Sequence, residues 1–218
     1  MLIQGSIEWH LERMGKITGT RFSRATGSIR VKNSLIAEIS KERELLAKGG
    51  FALDEHLDKI MAVDSAAMAW GRDHEDQALS AFELAYDMDV DKSGFIVHPD
   101  YDFIGVSLDG LVRDNDSRPH AIAEVKCPYN PENHANTLIL GMPEQHFSQV
   151  QGNAWVACQL MGYFISFDSR AEVENRLYVQ AIDVDFDYIG RLEAACIEIN
   201  DCVMKGQEIS QPENPVLF

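Results

Sequence analysis

The chain is short of basic charge and of any segment that would take it into a membrane. Its 218 residues hold 19 Lys and Arg against 35 Asp and Glu, a net charge of −16. This is the strongest bulk argument against a nucleic-acid partner. No run of 18 apolar residues occurs, and Met1-Leu2-Ile3-Gln4 opens neither a basic nor a long apolar stretch. A membrane span and a signal peptide are therefore not expected, and a cytoplasmic location is. The four cysteines, Cys127, Cys158, Cys196 and Cys202, form no C-x-x-C, which argues against structural zinc and an iron–sulfur cluster and fits reduced thiols. Seven histidines (His10, His56, His74, His98, His120, His134 and His146) make no i, i+4 pair and no His-Glu-x-x-His, so they read as surface or capping residues. Gly-x-Ser-x-Gly, a Walker loop and Gly-x-Gly-x-x-Gly are all missing, which removes support for serine hydrolysis, nucleotide hydrolysis and dinucleotide binding. Repeats and low-complexity segments are absent too.

What is present suits one α/β domain spanning 1–218, with 45% hydrophobic and 25% charged residues. The charge is uneven. Residues 1–32 carry six basic residues (Arg13, Lys16, Arg21, Arg24, Arg30 and Lys32) against Glu8 and Glu12, a net +4 that leaves −20 for the rest. A basic face on an acidic body is compatible with this distribution, since salt screens the repulsion of the remainder beyond roughly 8 Å.

Along the chain, Ser6–Met14 reads as a short helix and Gly15–Thr20 as a turn rich in glycine and hydroxyls, whose amides suit a phosphate. Asn33 or Ser34 caps a helix carrying Leu35, Ile39, Leu45 and Leu46 and stopped by Gly49-Gly50. A long helix follows over about Ser65–Tyr86. Three strands are expected at Gly94–His98, Phe103–Val112 and Ala121–Val125, with turn chemistry at Pro99-Asp100 and Asp114–Ser117, as in an antiparallel meander. A helix from Glu144 to Met161, strands at Tyr163–Phe167 and Arg176–Val184, a helix over Tyr188–Lys205 and a Pro-containing tail complete the chain. The order predicts an α/β (α+β) fold with a central mixed sheet flanked by helices.

The informative constellation is Ser107-Leu108-Asp109-Gly110 followed by Glu124-Val125-Lys126. Two carboxylates and an amine stand at the ends of apolar runs, hence on strands. Lys126 shares the face of Glu124, because strand side chains repeat with period two. Hard cations such as Mg²⁺ take one or two carboxylates plus waters and substrate phosphate, so the pattern points to metal-assisted phosphodiester chemistry. Asp-Gly alone is more often a turn, but Glu75 on the preceding helix offers a third carboxylate, though Asp73 and Asp76 beside it also suit a solvated face. Helical periodicity nominates Gln151, in the stripe Phe147, Val150, Ala154, Cys158, Met161, as the inward amide of the next helix and places Gln149 nearly opposite.

Together with Trp9-His10-x-x-Arg13, Ile17-Thr18, Ala69-Trp70-Gly71, Glu124-x-Lys126-Cys127-Pro128 and Gln149-Val150-Gln151 before Trp155, these blocks resemble the lambda exonuclease family of phage recombination nucleases, which has the restriction-endonuclease-like PD-(D/E)xK fold. The resemblance implies a Mg²⁺-dependent, processive 5′-to-3′ exonuclease on linear double-stranded DNA that releases mononucleotides and leaves a 3′ overhang for single-strand annealing. It implies two metal ions, with Mn²⁺ as a substitute, held by Asp109, Glu124, the Val125 carbonyl and Glu75. Catalytic roles fall to Glu75, Asp109, Glu124, Lys126 and Gln149, and here the resemblance favours Gln149 over the inward Gln151. Arg13, Thr20 and Ser107 correspond to a 5′-phosphate pocket, with Thr20 where the family has a serine. Met68 corresponds to an apolar wedge at the duplex end and Arg30 to a groove-binding arginine, although Met68 also suits a core position and Arg30 a solvated loop. Ala66 stands where a basic residue is expected. The family's homotrimeric ring and a single-strand annealing protein are the implied partners. A site-specific endonuclease of the same fold is disfavoured by the phosphate pocket, and a non-catalytic end-binding scaffold by the complete set of Glu75, Asp109, Glu124 and Lys126.

Overall fold

The computed structural model describes residues 4–114 and 116–210; Asn115 of the expected turn and the tail from 211 lie outside them. Helix α1 (Ile7–Arg13) starts where the Ser6 hydroxyl accepts the Trp9 amide. Strand β1 (Ile17–Thr18) occupies what the glycine and hydroxyl content marks only as a turn. After α2 (Phe22–Ala25), helix α3 spans Ile29–Lys48, beginning before the Asn33 or Ser34 cap expected for it. Gly49 and Gly50, at φ of 59° and 65°, end it as expected, because glycine accepts this backbone without a Cβ clash. The same pair turns the chain directly into an unanticipated helix, α4 (Gly50–Met61), which buries only Leu57 and so shows little apolar stripe. Helix α5 (Ala66–Tyr86) is capped by Ser65.

Strands β2 (Val90–Asp91) and β3 (Phe95–Val97) precede the region expected as one strand from Phe103 to Val112. The chain divides there into β4 (Ile104–Ser107) and β5 (Gly110–Arg113), and the two halves join different sheets. Strand β6 (Pro119–Lys126) leads to α6 (Pro131–Leu140), another element not foreseen. Its start signal was present: Asn130 accepts the Glu132 amide and proline takes the first helical position. Helix α7 (Phe147–Val156) ends short of Met161, because Cys158 turns the chain at φ 55° and Met161 already begins β7 (Met161–Phe167). Strand β8 (Leu177–Asp183) and helix α8 (Phe186–Lys205) follow.

The fold is mixed α/β, as the order of elements predicts. Five strands pair in the order β2-β5-β6-β7-β8, with β6 and β7 parallel and the other pairs antiparallel. A three-stranded sheet, β1-β4-β3, stands beside it. Ile17, Phe22, Leu35, Ile39, Val150, Phe164, Leu192 and Ile199 form the core on one side of the larger sheet, while Ala78, Leu79 and Phe82 of α5 pack with Ala121, Ala123, Ile165 and Phe167 on the other. Two histidines depart from the surface role expected for them. His98 is buried, and so is His134, whose ring joins Ser166 Oγ and the Asn175 carbonyl, both at 2.8 Å. Among the described residues no helix is long and apolar enough to cross a membrane.

Candidate active site

Ile122, Glu124 and Lys126 share one face of β6, and Ala121, Ala123 and Val125 the other. Helix α7 covers the first face, so Glu124 is only 1% exposed. Glu124 Oε2 accepts a 2.8 Å bond from Asn153 Nδ2, and Oε1 pairs with Lys126 Nζ. Asp109 lies at the break between β4 and β5. Since Gly110 is registered with Ala123, Asp109 reaches the next ladder position and its Oδ2 accepts the Val125 amide at 2.7 Å. The Asp-Gly pair is therefore no turn: Gly110 opens a strand so close to β2 that a Cβ would meet Val90 Cγ1 at 2.2 Å. Glu75, half-buried on α5, brings a third carboxylate into the same field.

The electrostatics of this group are one-sided. Burial first, and then Glu124, push the Asp109 carboxyl well above its ordinary range, against the pull of Lys126 and the Val125 N–H. Glu75 is also raised, by burial above all, with Lys92 and Lys126 opposing and Asp76 and Glu124 adding. Burial alone would lower Lys126, but Glu124, Asp109 and Glu75 hold it above the ordinary lysine value, so it is an ammonium. Three carboxylates around one ammonium leave the site short of positive charge, and its donors are hard oxygens. Both facts fit Mg²⁺. Among the described residues no three His, Cys, Asp or Glu side chains are grouped closely enough to hold an ion by themselves.

A second cluster adjoins the first through Ser107. Arg13 Nη1 and Trp9 Nε1 both donate to Ser107 Oγ, at 3.0 and 2.9 Å, and the guanidinium carbon lies 4.2 Å from the Trp9 ring centroid. Arg13 Nη2 is 3.5 Å from Thr18 Oγ1, whereas Thr20 is exposed on the following turn; the hydroxyl that touches Arg13 is thus Thr18. Burial, and then the charge of Arg21, bring Arg13 down to about 10, with Glu42 opposing. The basic stretch offers no broad basic face, because most of it is spent internally: Lys16 on Glu12, Arg21 on Glu38 and Glu42, Arg24 on Glu38, Lys32 on Glu198. Arg13 and Arg30 have no carboxylate partner among the described residues. Arg30 is exposed in the first turn of α3, and Met68, 49% exposed in the first turn of α5, is not in the core.

The two glutamines separate clearly. Gln151 is buried, donating from Nε2 to the Asp183 carbonyl at 2.9 Å and accepting the Asp185 amide on Oε1 at 2.7 Å, so it ties α7 to the β8–α8 connection. Gln149 is half-buried one turn before Asn153 and so lies on the side of α7 that reaches Glu124. Periodicity could not single out one amide here, because α7 is buried almost all round, at Val150, Gln151, Gly152, Asn153, Ala154 and Val156.

A sequence profile of the YqaJ-like viral recombinase domain matches residues 8–159. The chain belongs to this family. Comparison with curated proteins gives no match. Among solved structures, an alkaline exonuclease from Laribacter hongkongensis, LHK-Exo, is 24% identical over 92% of this chain and 94% of its own, with a TM-score of 0.78. The same protein in complex with dAMP gives 0.77 at the same identity and coverage. A phage related exonuclease from Haemophilus somnus 129PT is 16% identical over 88% of this chain and 96% of its own, with a TM-score of 0.59. The fold is shared with these exonucleases.

Within this YqaJ-like domain, sequence reasoning overlooked two residues at the acidic site. Asn153 is fully buried; its Oδ1 has no hydrogen-bond partner among the described residues and faces Gly19, where a Cβ would come within 2.5 Å. It thus lies between Glu124 and the turn that follows Thr18. Its position one turn after Gln149 was the available signal. His146 stacks on Phe164 with centroids 5.5 Å apart, and burial and then the charge of Lys126 push it down to about 4, leaving a neutral imidazole. Both His146 and Lys126 line a cavity of about 840 Å³ that also reaches Asn136, Met142 and Phe164.

Proposed function

We propose that this YqaJ-like protein is a Mg²⁺-dependent, processive exonuclease that digests one strand of linear duplex DNA from its 5′ end, releasing mononucleotides and leaving a 3′ single strand for annealing recombination. The observation that carries this reading is the junction of the two clusters. Ser107, bonded to a half-buried guanidinium that pairs with no carboxylate among the described residues, lies two residues before Asp109, about 7 Å along an extended chain. A terminal phosphate on Arg13 would therefore leave the next phosphodiester at the acidic site. The dAMP complex of LHK-Exo agrees with a deoxynucleoside monophosphate as the product.

In this reading Asp109, Glu124, Glu75 and the Val125 carbonyl hold the ions. When bound there, Mg²⁺ would supply an acidified water and stabilise the leaving oxygen. Lys126 orients or deprotonates the attacking water and offsets charge on the phosphoryl oxygens. Gln149 positions the same groups from α7. Arg13 binds the 5′ phosphate bidentately, with Ser107 and Thr18 as the adjoining hydroxyls and Thr20 reaching it from the following turn. The exposed Met68 and Arg30 meet the duplex end and its groove. A homotrimeric ring would place DNA inside and the acidic exterior outside, where a single-strand annealing protein docks.

The test is Mg²⁺-dependent digestion of linear duplex labelled at either end, with and without 5′ phosphate, beside closed circles. The 5′ label is expected to go first, faster with phosphate, and circles to survive; cleavage of circles would make the protein an endonuclease. Arg13→Ala is expected to remove selectively the preference for phosphorylated ends. Equal slowing on both kinds of end would refute the pocket.

A further inference from the structure

Arg170, just beyond β7, has no part in the site described above, yet it joins the end of β7 to two segments that build that site, the exit of β6 and helix α5. Its Nε and Nη2 clasp the two oxygens of Asp168, each at 2.8 Å, and Asp168 is 2% exposed. Nη1 donates to the Tyr129 carbonyl at 3.0 Å and Nη2 to the Pro128 carbonyl at 3.1 Å, in the turn that leaves β6 just after Lys126 and Cys127. The guanidinium carbon stands 4.2 Å from the Trp70 ring centroid. Trp70 in turn stacks on His74, with centroids 3.7 Å apart, and meets Tyr129 edge-on at 6.3 Å.

These contacts matter because α5 is anchored unevenly. Its buried residues, Ala78, Leu79 and Phe82, all follow Glu75, and none is buried from Ala66 to Gln77. Trp70 is the large side chain of that half that packs on the body of the protein. A planar guanidinium can grip a carboxylate with two donors, bond two carbonyls and lie on an indole at once; a lysine cannot.

We propose that Arg170 is a positioning residue that holds the Glu75 half of α5, through Trp70, at a set distance from Glu124 and Lys126, and so completes the cation site. The inference rests on the reading of Glu75, Asp109 and Glu124 as metal ligands. It requires Arg170→Met to loosen one half-helix and weaken ion binding, with no effect on the phosphate pocket.

The experiment compares the full-length protein with its Arg170→Met, Arg170→Lys and Trp70→Leu variants by amide hydrogen exchange without metal, by calorimetric titration with Mn²⁺ alone, and by the Mg²⁺ dependence of DNA digestion. Arg170→Met and Trp70→Leu are expected to speed exchange over residues 66–77 while sparing 78–86, and to weaken Mn²⁺ binding by roughly tenfold or more, as loss of outer partners does at metal sites. The Mg²⁺ requirement should rise in parallel, the preference for 5′-phosphorylated ends should stay, and Arg170→Lys should not rescue. Unchanged exchange and ion binding, or loosening spread evenly over the whole protein, would overturn the clamp. If the unsubstituted protein fails to digest DNA, the nuclease reading falls, and exchange together with Mn²⁺ binding still decides the clamp.

Discussion

Asp109→Asn is expected to abolish Mg²⁺-dependent cleavage and, in the same protein without metal, to raise the melting temperature. The two effects have one origin. Asp109 is half-buried beside Glu124 and in the field of Glu75, and its folded-state pKa is raised well above the ordinary 3.8. A raised carboxyl pKa means that its contribution to stability is fully present below the unfolded value and is lost as pH rises through the folded one. As pH rises above the unfolded value, the metal-free protein must therefore either keep a proton on this carboxyl or carry a charge that its surroundings disfavour. Asparagine removes that charge while its side-chain oxygen can still accept the Val125 amide, so the backbone at the β4–β5 break has no cause to move. For a chain of this size each kcal/mol gained is worth about 2–4 °C. Melting curves in chelator at about pH 5 and about pH 8 should show the gap between variant and parent widening with pH. Substantial residual Mg²⁺-dependent cleavage would sink the ligand assignment, and a variant that melts lower at the higher pH would sink the electrostatic account. Glu124→Gln should be equally inactive, but it is the less clean test, because its amide would face the ammonium of Lys126 or the Asn153 amide.

Lys126→Ala should have the opposite effect on stability and a large effect on rate. Glu124, 1% exposed, has Lys126 on one oxygen and Asn153 on the other. Removing the ammonium strands a buried carboxylate, which costs on the order of 3 kcal/mol when a pair of this kind is broken. The metal-free variant should melt lower than its parent, and saturating Mg²⁺ should recover much of the difference by supplying the missing charge. Cleavage, however, should stay at least about 10²-fold down, the scale of losing one preorganised donor to a developing oxyanion. Single-turnover rates and melting curves with and without Mg²⁺ measure both. A near-normal rate would show that Lys126 serves only as the counter-ion of Glu124.

The sequence by itself determined the parts of this protein that depend on short-range rules. The strand period of two puts Glu124 and Lys126 on one face whatever the fold around them, and the Ser6 and Ser65 caps and the Gly49-Gly50 pair mark helix ends through hydrogen bonds and backbone sterics within a few residues. The alternation of helical and strand-like segments carried the mixed α/β class, and the start of α6 at Asn130-Pro131 was legible by the same chemistry though unread. Tertiary structure alone decided what depends on partners distant in the chain. Ile104–Ser107 and Gly110–Arg113 look like one strand because both are apolar, and only pairing with β1 and β3 on one side and β2 and β6 on the other divides them at Asp109. The basic stretch reads as a surface feature until Glu38, Glu42 and Glu198 fold against it and leave Arg13 without a carboxylate. Gln151 satisfies the periodicity of an inward amide, but the carbonyl of Asp183 and the amide of Asp185 occupy it, while Asn153 reaches Glu124 and Thr18 reaches Arg13. Period and capping record the local geometry of a chain; which buried polar group meets which is settled only when segments far apart in sequence pack together and each must find a partner out of water.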